Sequence, residues 1–258
     1  MWDLVTDCTA ITSVDVMTGV DENRASLSET GCSLSNVPLR AMIFDFDGLV
    51  LDTETPEFTA WQEVYAAHGA TLEQHIWAQV IGTTESSWDP WLHLEGLIGY
   101  PVDRKTLRAG RQARHHALIA AEVSRPGVES WLDEARDLGL TIGLASSSSR
   151  GWVTTHLDRL GLLDRFAVIA TGDRVRHTKP DPAVYLLALA ELGVDAAEAI
   201  AVEDSANGIA AAKAAGLVCV AIPNPMTAGL DLSRADLVLD SLADMTIREV
   251  ARRTASDT

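Results

Sequence analysis

The chain alternates short apolar runs with amphipathic segments, an order that few folds accommodate. Residues 39–44, Leu-Arg-Ala-Met-Ile-Phe, form the first run, which stops abruptly at Asp45. Similar runs follow at 140–145, 166–170, 199–202 and 217–222, with a weaker one at 237–239. Runs this short, apolar throughout and bounded by turn residues, read as buried parallel strands. Helix-period segments at 128–138, 152–160, 183–192 and 209–215 separate them. Each is followed by a glycine (Gly139, Gly161, Gly193, Gly216), where a left-handed cap is wanted. Strand alternating with helix predicts an α/β fold with a doubly wound parallel sheet.

One stretch breaks the alternation. Residues 55–121 carry no strand signal but several amphipathic segments, among them 58–68 and 107–120. The second strand is therefore delayed by an inserted α-helical cap, positioned to cover the carboxyl end of the first strand. The expected division is a core of residues 39–54 and 122–250, a cap of 55–121 and a tail of 251–258. Residues 1–38, rich in Ser, Thr and Asp without a sustained period, read as a disordered extension.

Charge narrows the choice of partners. The formal net charge of −17 argues against nucleic acid, which would call for a basic face. Lysine occurs only at Lys105, Lys179 and Lys213, so an anionic ligand depends on local rather than global positive charge. No apolar run approaches the roughly 18 residues of a membrane span, and no secretory signal is evident at the N-terminus. Cys8, Cys32 and Cys219 lack metal-ligand spacing, which fits a reducing, cytoplasmic setting. The expected assembly is a monomer or weak homo-oligomer.

Ligands of open α/β sheets bind at the carboxyl ends of the strands. After the first strand comes Asp45-Phe46-Asp47-Gly48-Leu49-Val50-Leu51-Asp52-Thr53-Glu54. After the second comes Ser146-Ser147-Ser148-Ser149, whose hydroxyls and N–H groups suit an anion. Lys179-Pro180 follows the third and Glu203-Asp204-Ser205 the fourth. Each piece alone has a bland reading: turn acids, a helix cap, a solvated lysine. Together they supply a nucleophile, an acid, hydroxyls, a cation and carboxylates for a metal, the parts of phosphoryl transfer.

Those four motifs, in that order, resemble the haloacid dehalogenase superfamily, and the helical insertion is similar to the small cap of its β-phosphoglucomutase-like branch. The resemblance covers about residues 39–245. It implies that Asp45 attacks phosphorus to form an aspartyl-phosphate and that Asp47 serves as general acid–base. Ser146, Ser147 and Lys179 would hold the transferring phosphoryl group. Mg²⁺ would be held by Asp45, the Asp47 carbonyl and Asp204, with Glu203 beside them. Two like charges about 4 Å apart cost roughly 4 kcal/mol at an effective dielectric near 20, so carboxylates can approach a phosphate dianion only with such cations.

The expected activity is hydrolysis of a small phosphorylated metabolite: a sugar, cyclitol or nucleoside phosphate. A sugar-phosphate mutase is the main alternative. Mutases of this branch carry a histidine where this chain has Glu57, and a basic cap segment where it has Val80-Ile81-Gly82-Thr83-Thr84. A phosphonate-cleaving activity would need a cap lysine, and Lys105 lies among other charges. A non-catalytic binding protein would be expected to lose Asp45, Asp47 or Asp204, and none is lost. Glu54, Trp88, Arg108 and Arg111 are the candidate substrate residues contributed from the cap side.

Overall fold

Ala41–Phe44 (β1) forms a strand because both of its faces are covered. Met42 and Phe44 point into one apolar cluster, Ala41 and Ile43 into another, and all four are fully buried. The protein is described by a computed structural model that covers residues 39–78, 81 and 88–255. The expected disordered extension at 1–38, the end of the tail, and four of the five residues of the segment beginning at Val80 lie outside those residues.

Among the described residues, five helices lie between β1 and the next strand, the first four being Glu54–Ala67 (α1), Gln74–Ala78 (α2), Pro90–Ile98 (α3) and Arg104–Ala121 (α4). The rest alternates as Val128–Asp137 (α5), Thr141–Ser146 (β2), Arg150–Arg159 (α6), Val168–Thr171 (β3), Ala183–Leu192 (α7), Ala199–Glu203 (β4), Ala206–Ala214 (α8), Val218–Ala221 (β5), Leu237–Val238 (β6) and Ile247–Ala255 (α9). All six strands pair in parallel, in the order β3-β2-β1-β4-β5-β6. The fold is the doubly wound α/β sheet with a helical insertion. Strand β1 lies between β2 and β4, where the direction of winding reverses, and crevices open at such points.

The two faces are built differently. Helices α5, α6 and α9 pack large side chains (Trp131, Leu132, Val153, Leu157, Val250) against Met42, Phe44, Ile142 and Leu144. On the other face α7 and α8 meet a sheet surface rich in alanine: Ala41, Ala145, Ala170, Ala199, Ala201 and Ala221. Phe44 makes edge-on contacts with Trp131 and Phe166, at centroid distances of 6.4 and 6.3 Å.

Two core helices begin earlier than the apolar period predicts. Ser149 caps α6 by accepting from the Trp152 N–H, and Ser205 caps α8 by accepting from the Gly208 N–H at 3.1 Å. Their first turns are polar, so hydrophobic spacing hides them, while the capping hydroxyls meet the otherwise orphaned N–H groups.

The inserted helices gather around their own aromatic cluster of Phe58, Trp61, Tyr65, Trp77 and Trp91, joined by Met226 from the loop after β5. Trp61 and Trp91 meet edge-on at 4.6 Å, and the Tyr65 hydroxyl donates to the Pro90 carbonyl at 2.7 Å. Helix α4 buries only Ile119 among its apolar residues, so most of it faces water or the site. No described helix is long and apolar enough to cross a membrane.

Truncating Phe44 to alanine removes a fully buried ring at the centre of this arrangement. Phe44→Ala is expected to cost about 3–5 kcal/mol of unfolding free energy, read from urea denaturation midpoints. A loss below about 1 kcal/mol would mean that the face beneath α5 repacks freely.

Candidate active site

Asp45 continues the ladder of β1 by one rung, its N–H donating to the Val202 carbonyl at 2.9 Å. The chain then turns. Phe46 is buried as an anchor, and its carbonyl accepts from the N–H groups of Leu49, Val50 and Leu51. Gly48 sits in the turn with φ +83°, and a Cβ there would lie 2.3 Å from Asp204 Oδ2 and 2.6 Å from Asn224 Nδ2. Glycine is required both for the backbone and for the approach of the β1 loop to the end of β4. Arg125 ties the same loops together, donating to the carbonyls of Gly48 (2.6 Å) and Pro223 (2.8 Å).

Glu203 is the last residue of β4, and Asp204 follows it. One carboxylate oxygen from each of Asp45, Glu203 and Asp204 lies within 4.8 Å of the others, and all three residues are buried. Lys179, from the loop between β3 and α7, is 5% exposed and donates to Asp45 Oδ1 and Glu203 Oε1. The Tyr185 hydroxyl also donates to Glu203 Oε1, at 2.7 Å. Glu203 Oε2 accepts from the Asp204 N–H at 3.1 Å and the Ser205 hydroxyl at 3.4 Å. Glu203 is thus occupied in holding Lys179 and the start of α8. Asp204 Oδ2 accepts from Asn224 Nδ2 at 2.6 Å.

Asp47 faces the neighbouring strand end. Its Oδ1 accepts from Trp152 Nε1 at 2.8 Å, and its Oδ2 from the hydroxyls of Ser148 (2.7 Å) and Ser146 (3.2 Å). The Ser146 hydroxyl is itself taken by the Ser148 N–H, whereas the Ser147 hydroxyl is buried and makes no hydrogen bond. Asp45, Asp47, Ser147, Lys179 and Asp204 line one cavity of about 260 Å³.

The insertion supplies the rest of the wall through Thr53, Glu54, Glu57 and His115. Of the cap-side residues singled out from sequence, Glu54 lines this cavity. Trp88, Arg108 and Arg111 instead line a second recess with Trp61 and Trp91. Arg111 forms an ion pair with Glu57 at 2.6 Å.

Sequence reasoning missed Asn224, Tyr185, Trp152 and Arg125 as parts of the site. Asn224 follows a strand end, the position that exposed the four motifs, so reading past β5 would have found it. The others arrive from helices and a loop by tertiary packing, and no local pattern marks them.

Electrostatics explain why these groups need one another. Burial pushes the Asp45 carboxyl well above its usual range; Lys179 pulls it down, while Glu203 and Asp47 push it further up. Burial alone would lower Lys179, but Asp45 and Glu203 raise it, so it keeps its charge. Asp204 is raised by burial and then by Asp45 and Glu203. Three buried carboxyls share one ammonium. The surplus negative charge is relieved either by a proton or by a cation, and an all-oxygen donor set suits a hard divalent ion.

A family model described as haloacid dehalogenase-like hydrolase matches residues 39–216. A Bacillus subtilis protein named as a phosphatase, YhcW, is 47% identical over 207 residues, covering 80% of this chain and 94% of its own length. The β-phosphoglucomutase of Bacillus subtilis is 29% identical over 215 residues, covering 81% and 92%. Among solved structures, CbbY from Rhodobacter sphaeroides in complex with phosphate is 31% identical, with a TM-score of 0.62 over 80% of this chain and 96% of that one.

Glu54 provides a test of the site's electrostatics. It is partly open to the cavity, yet burial pushes its carboxyl from 4.5 to about 8, with Asp47, Glu57 and Asp52 adding repulsion. The folded protein therefore holds a proton that the unfolded chain releases near 4.5. The associated stability is complete below that pH and is lost as pH rises through about 8. In EDTA, Glu54→Gln is expected to flatten the decline in denaturation midpoint between about pH 5 and about pH 8. Equal declines in variant and parent would contradict the burial of this carboxyl.

Proposed function

The chain belongs to the haloacid dehalogenase-like hydrolase family, and from that premise we propose that it is a Mg²⁺-dependent phosphatase of a small phosphorylated metabolite. The observation that carries this reading is the meeting of Asp45, Lys179 and Asp204 on one cavity, with Glu203 buried behind them and Asp47 two residues beyond the nucleophile. A phosphate monoester bound there faces a carboxylate for attack, a charged lysine and a free serine hydroxyl.

Asp45 forms a bond to phosphorus as the ester P–O bond breaks, and Asp47 delivers its proton to the departing oxygen. Water then attacks phosphorus, giving up a proton to Asp47, and the bond to Asp45 breaks. Lys179 and the Ser147 hydroxyl meet the phosphoryl oxygens, and Glu203 fixes Lys179. The Ser146 hydroxyl instead orients Asp47, which Trp152 and Ser148 hold at the edge of the cavity. Mg²⁺ would be held by Asp45, Asp204 and the Asp47 carbonyl, where it supplies charge neutralisation for the phosphoryl group. Positioning and charge provide most of the rate in such reactions, and acid–base transfer by Asp47 adds about 10²–10⁴.

A mutase reading has a relative in its favour but less in the site. A bisphosphate needs a second cation, and Lys179 is the only lysine or arginine among the described residues lining the cavity. Glu57 occupies the cap wall instead. The same comparison favours an ester whose remaining part is uncharged, a sugar or cyclitol monophosphate over a bisphosphate.

The cap is proposed to open and close between residues 53–57 and 121–126. The first of these already forms the opening turn of α1, so the flexing points are Thr53 and the residues before it. A buried free Cys219 and an acidic surface fit a cytoplasmic protein that binds neither nucleic acid nor membrane, as a monomer or weak homo-oligomer.

Phosphate release from a panel of hexose, pentose, cyclitol and nucleoside monophosphates tests the reading. Release is expected with Mg²⁺, to be lost in EDTA, and to fall at least about 10³-fold in Asp45→Asn. Isomerisation of β-glucose 1-phosphate to glucose 6-phosphate without phosphate release would overturn it in favour of the mutase.

A further inference from the structure

Opposite Asp45, helices α1 and α4 bring Glu57 and His115 together on the cavity wall. Glu57 Oε1 accepts from Arg111 Nη1 at 2.6 Å and from Trp61 Nε1 at 3.1 Å. Its Oε2 lies 3.1 Å from His115 Nδ1. The Arg111 guanidinium rests 4.8 Å from the centre of the Trp61 ring, so the carboxylate is fixed from two sides. The His115 ring stacks on Trp152, with centroids 6.2 Å apart and planes inclined by 20°. The imidazole is therefore oriented by both a carboxylate and an aromatic face.

His115 Nε2 is buried and makes no hydrogen bond, and the same holds for Thr53 Oγ1 on the same wall. The Thr53 backbone favours a charged imidazole slightly, the smallest of the influences on this ring. Burial, with Arg111 and His116 adding repulsion, pulls the imidazole toward its neutral form against the pull of Glu57. With Nδ1–H donating to Glu57, the tautomer leaves the Nε2 lone pair directed to whatever fills the cavity. Buried polar atoms without partners are rare, and two on one wall of a cavity point to a ligand that meets them.

The chemistry of that ligand follows from the wall. Glu54 and Glu57 line it, and no lysine or arginine accompanies them among the described residues, Lys179 being committed to Asp45 and Glu203. A second phosphate placed there would meet carboxyls and a neutral imidazole. A hydroxyl would find an acceptor in His115 and both a donor and an acceptor in Thr53.

We propose that Glu57 and His115 form a substrate-positioning pair, in which His115 Nε2 accepts a hydrogen bond from a hydroxyl on the carbon skeleton of a polyol monophosphate. Glu57 acts through His115 and does not touch the reacting atoms. The assignment rests on the phosphatase reading and narrows it to hydroxyl-bearing monoesters, and it marks His115 as a determinant of which ester is preferred.

Two variants separate this role from a structural one. His115→Phe keeps a ring over Trp152 but removes both nitrogens, and His115→Gln returns a carbonyl oxygen near the Nε2 position. Sorbitol 6-phosphate is compared with phenyl phosphate, whose leaving group carries no further hydroxyl. The ratio of kcat/KM for the two esters is expected to fall about tenfold in His115→Phe, mainly through KM, and to recover in large part in His115→Gln. An unchanged ratio in His115→Phe, or no recovery in His115→Gln, overturns the proposal. If the native enzyme releases phosphate from neither of these esters nor from any of the panel above, the phosphatase reading fails on its own. Calorimetric titration of sorbitol 6-phosphate into Asp45→Asn, with and without His115→Phe, then decides the role of His115. Roughly tenfold weaker binding supports it and equal binding overturns it.

Discussion

A buried ammonium shared by buried carboxylates is the interaction around which this site is organised. Lys179 donates to Asp45 and Glu203 in a space from which water is nearly excluded, and Asp204 adds a third carboxyl beside them. Separating these charges would leave each desolvated without a partner, a cost far larger than that of an exposed ion pair. The loops after β1, β3 and β4 therefore have to meet. Asp45 is pinned to β4 through Val202, Gly48 lets the β1 loop approach Asp204, and Arg125 and Asn224 bind the rims. The excess of negative over positive charge is what makes the pocket receptive to a divalent cation and, with it, to a phosphate ester.

The core and the insertion divide the work. Strand ends supply the groups proposed to act on phosphorus, and their positions follow from the register of β1 between β2 and β4. Helices α1 and α4 supply a wall of different chemistry, with Glu54, Glu57 and His115 facing the same cavity. Trp152 connects the two, donating to Asp47 with its indole nitrogen while His115 stacks on its ring. Asp47 and the cap-side His115 thus touch the same side chain.

Much of this was legible in the sequence because it is local. The parallel strands were visible as short apolar runs, and the motif residues lie directly after them, so Asp45, Asp47, Lys179, Glu203 and Asp204 were found together. Polar first turns capped by Ser149 and Ser205 hid the starts of α6 and α8. Tyr185, Trp152 and Arg125 were not legible, since each is ordinary on its own helix or loop and gains its role from a partner distant in sequence. Trp88, Arg108 and Arg111 illustrate the converse. Their chemistry suits a substrate, yet they line a separate recess, with Arg111 committed to Glu57.

The central claim is that Asp45 carries the phosphoryl group during turnover. Its most direct test is to acid-quench the enzyme during turnover of its best phosphate ester, reduce with borohydride and map the peptides by mass spectrometry. An acyl phosphate at Asp45 would appear as its reduction product, homoserine, at that position alone, and only with Mg²⁺ present. Product formation with position 45 unreduced, or a modification elsewhere in the chain, would contradict the assignment of Asp45 as the nucleophile.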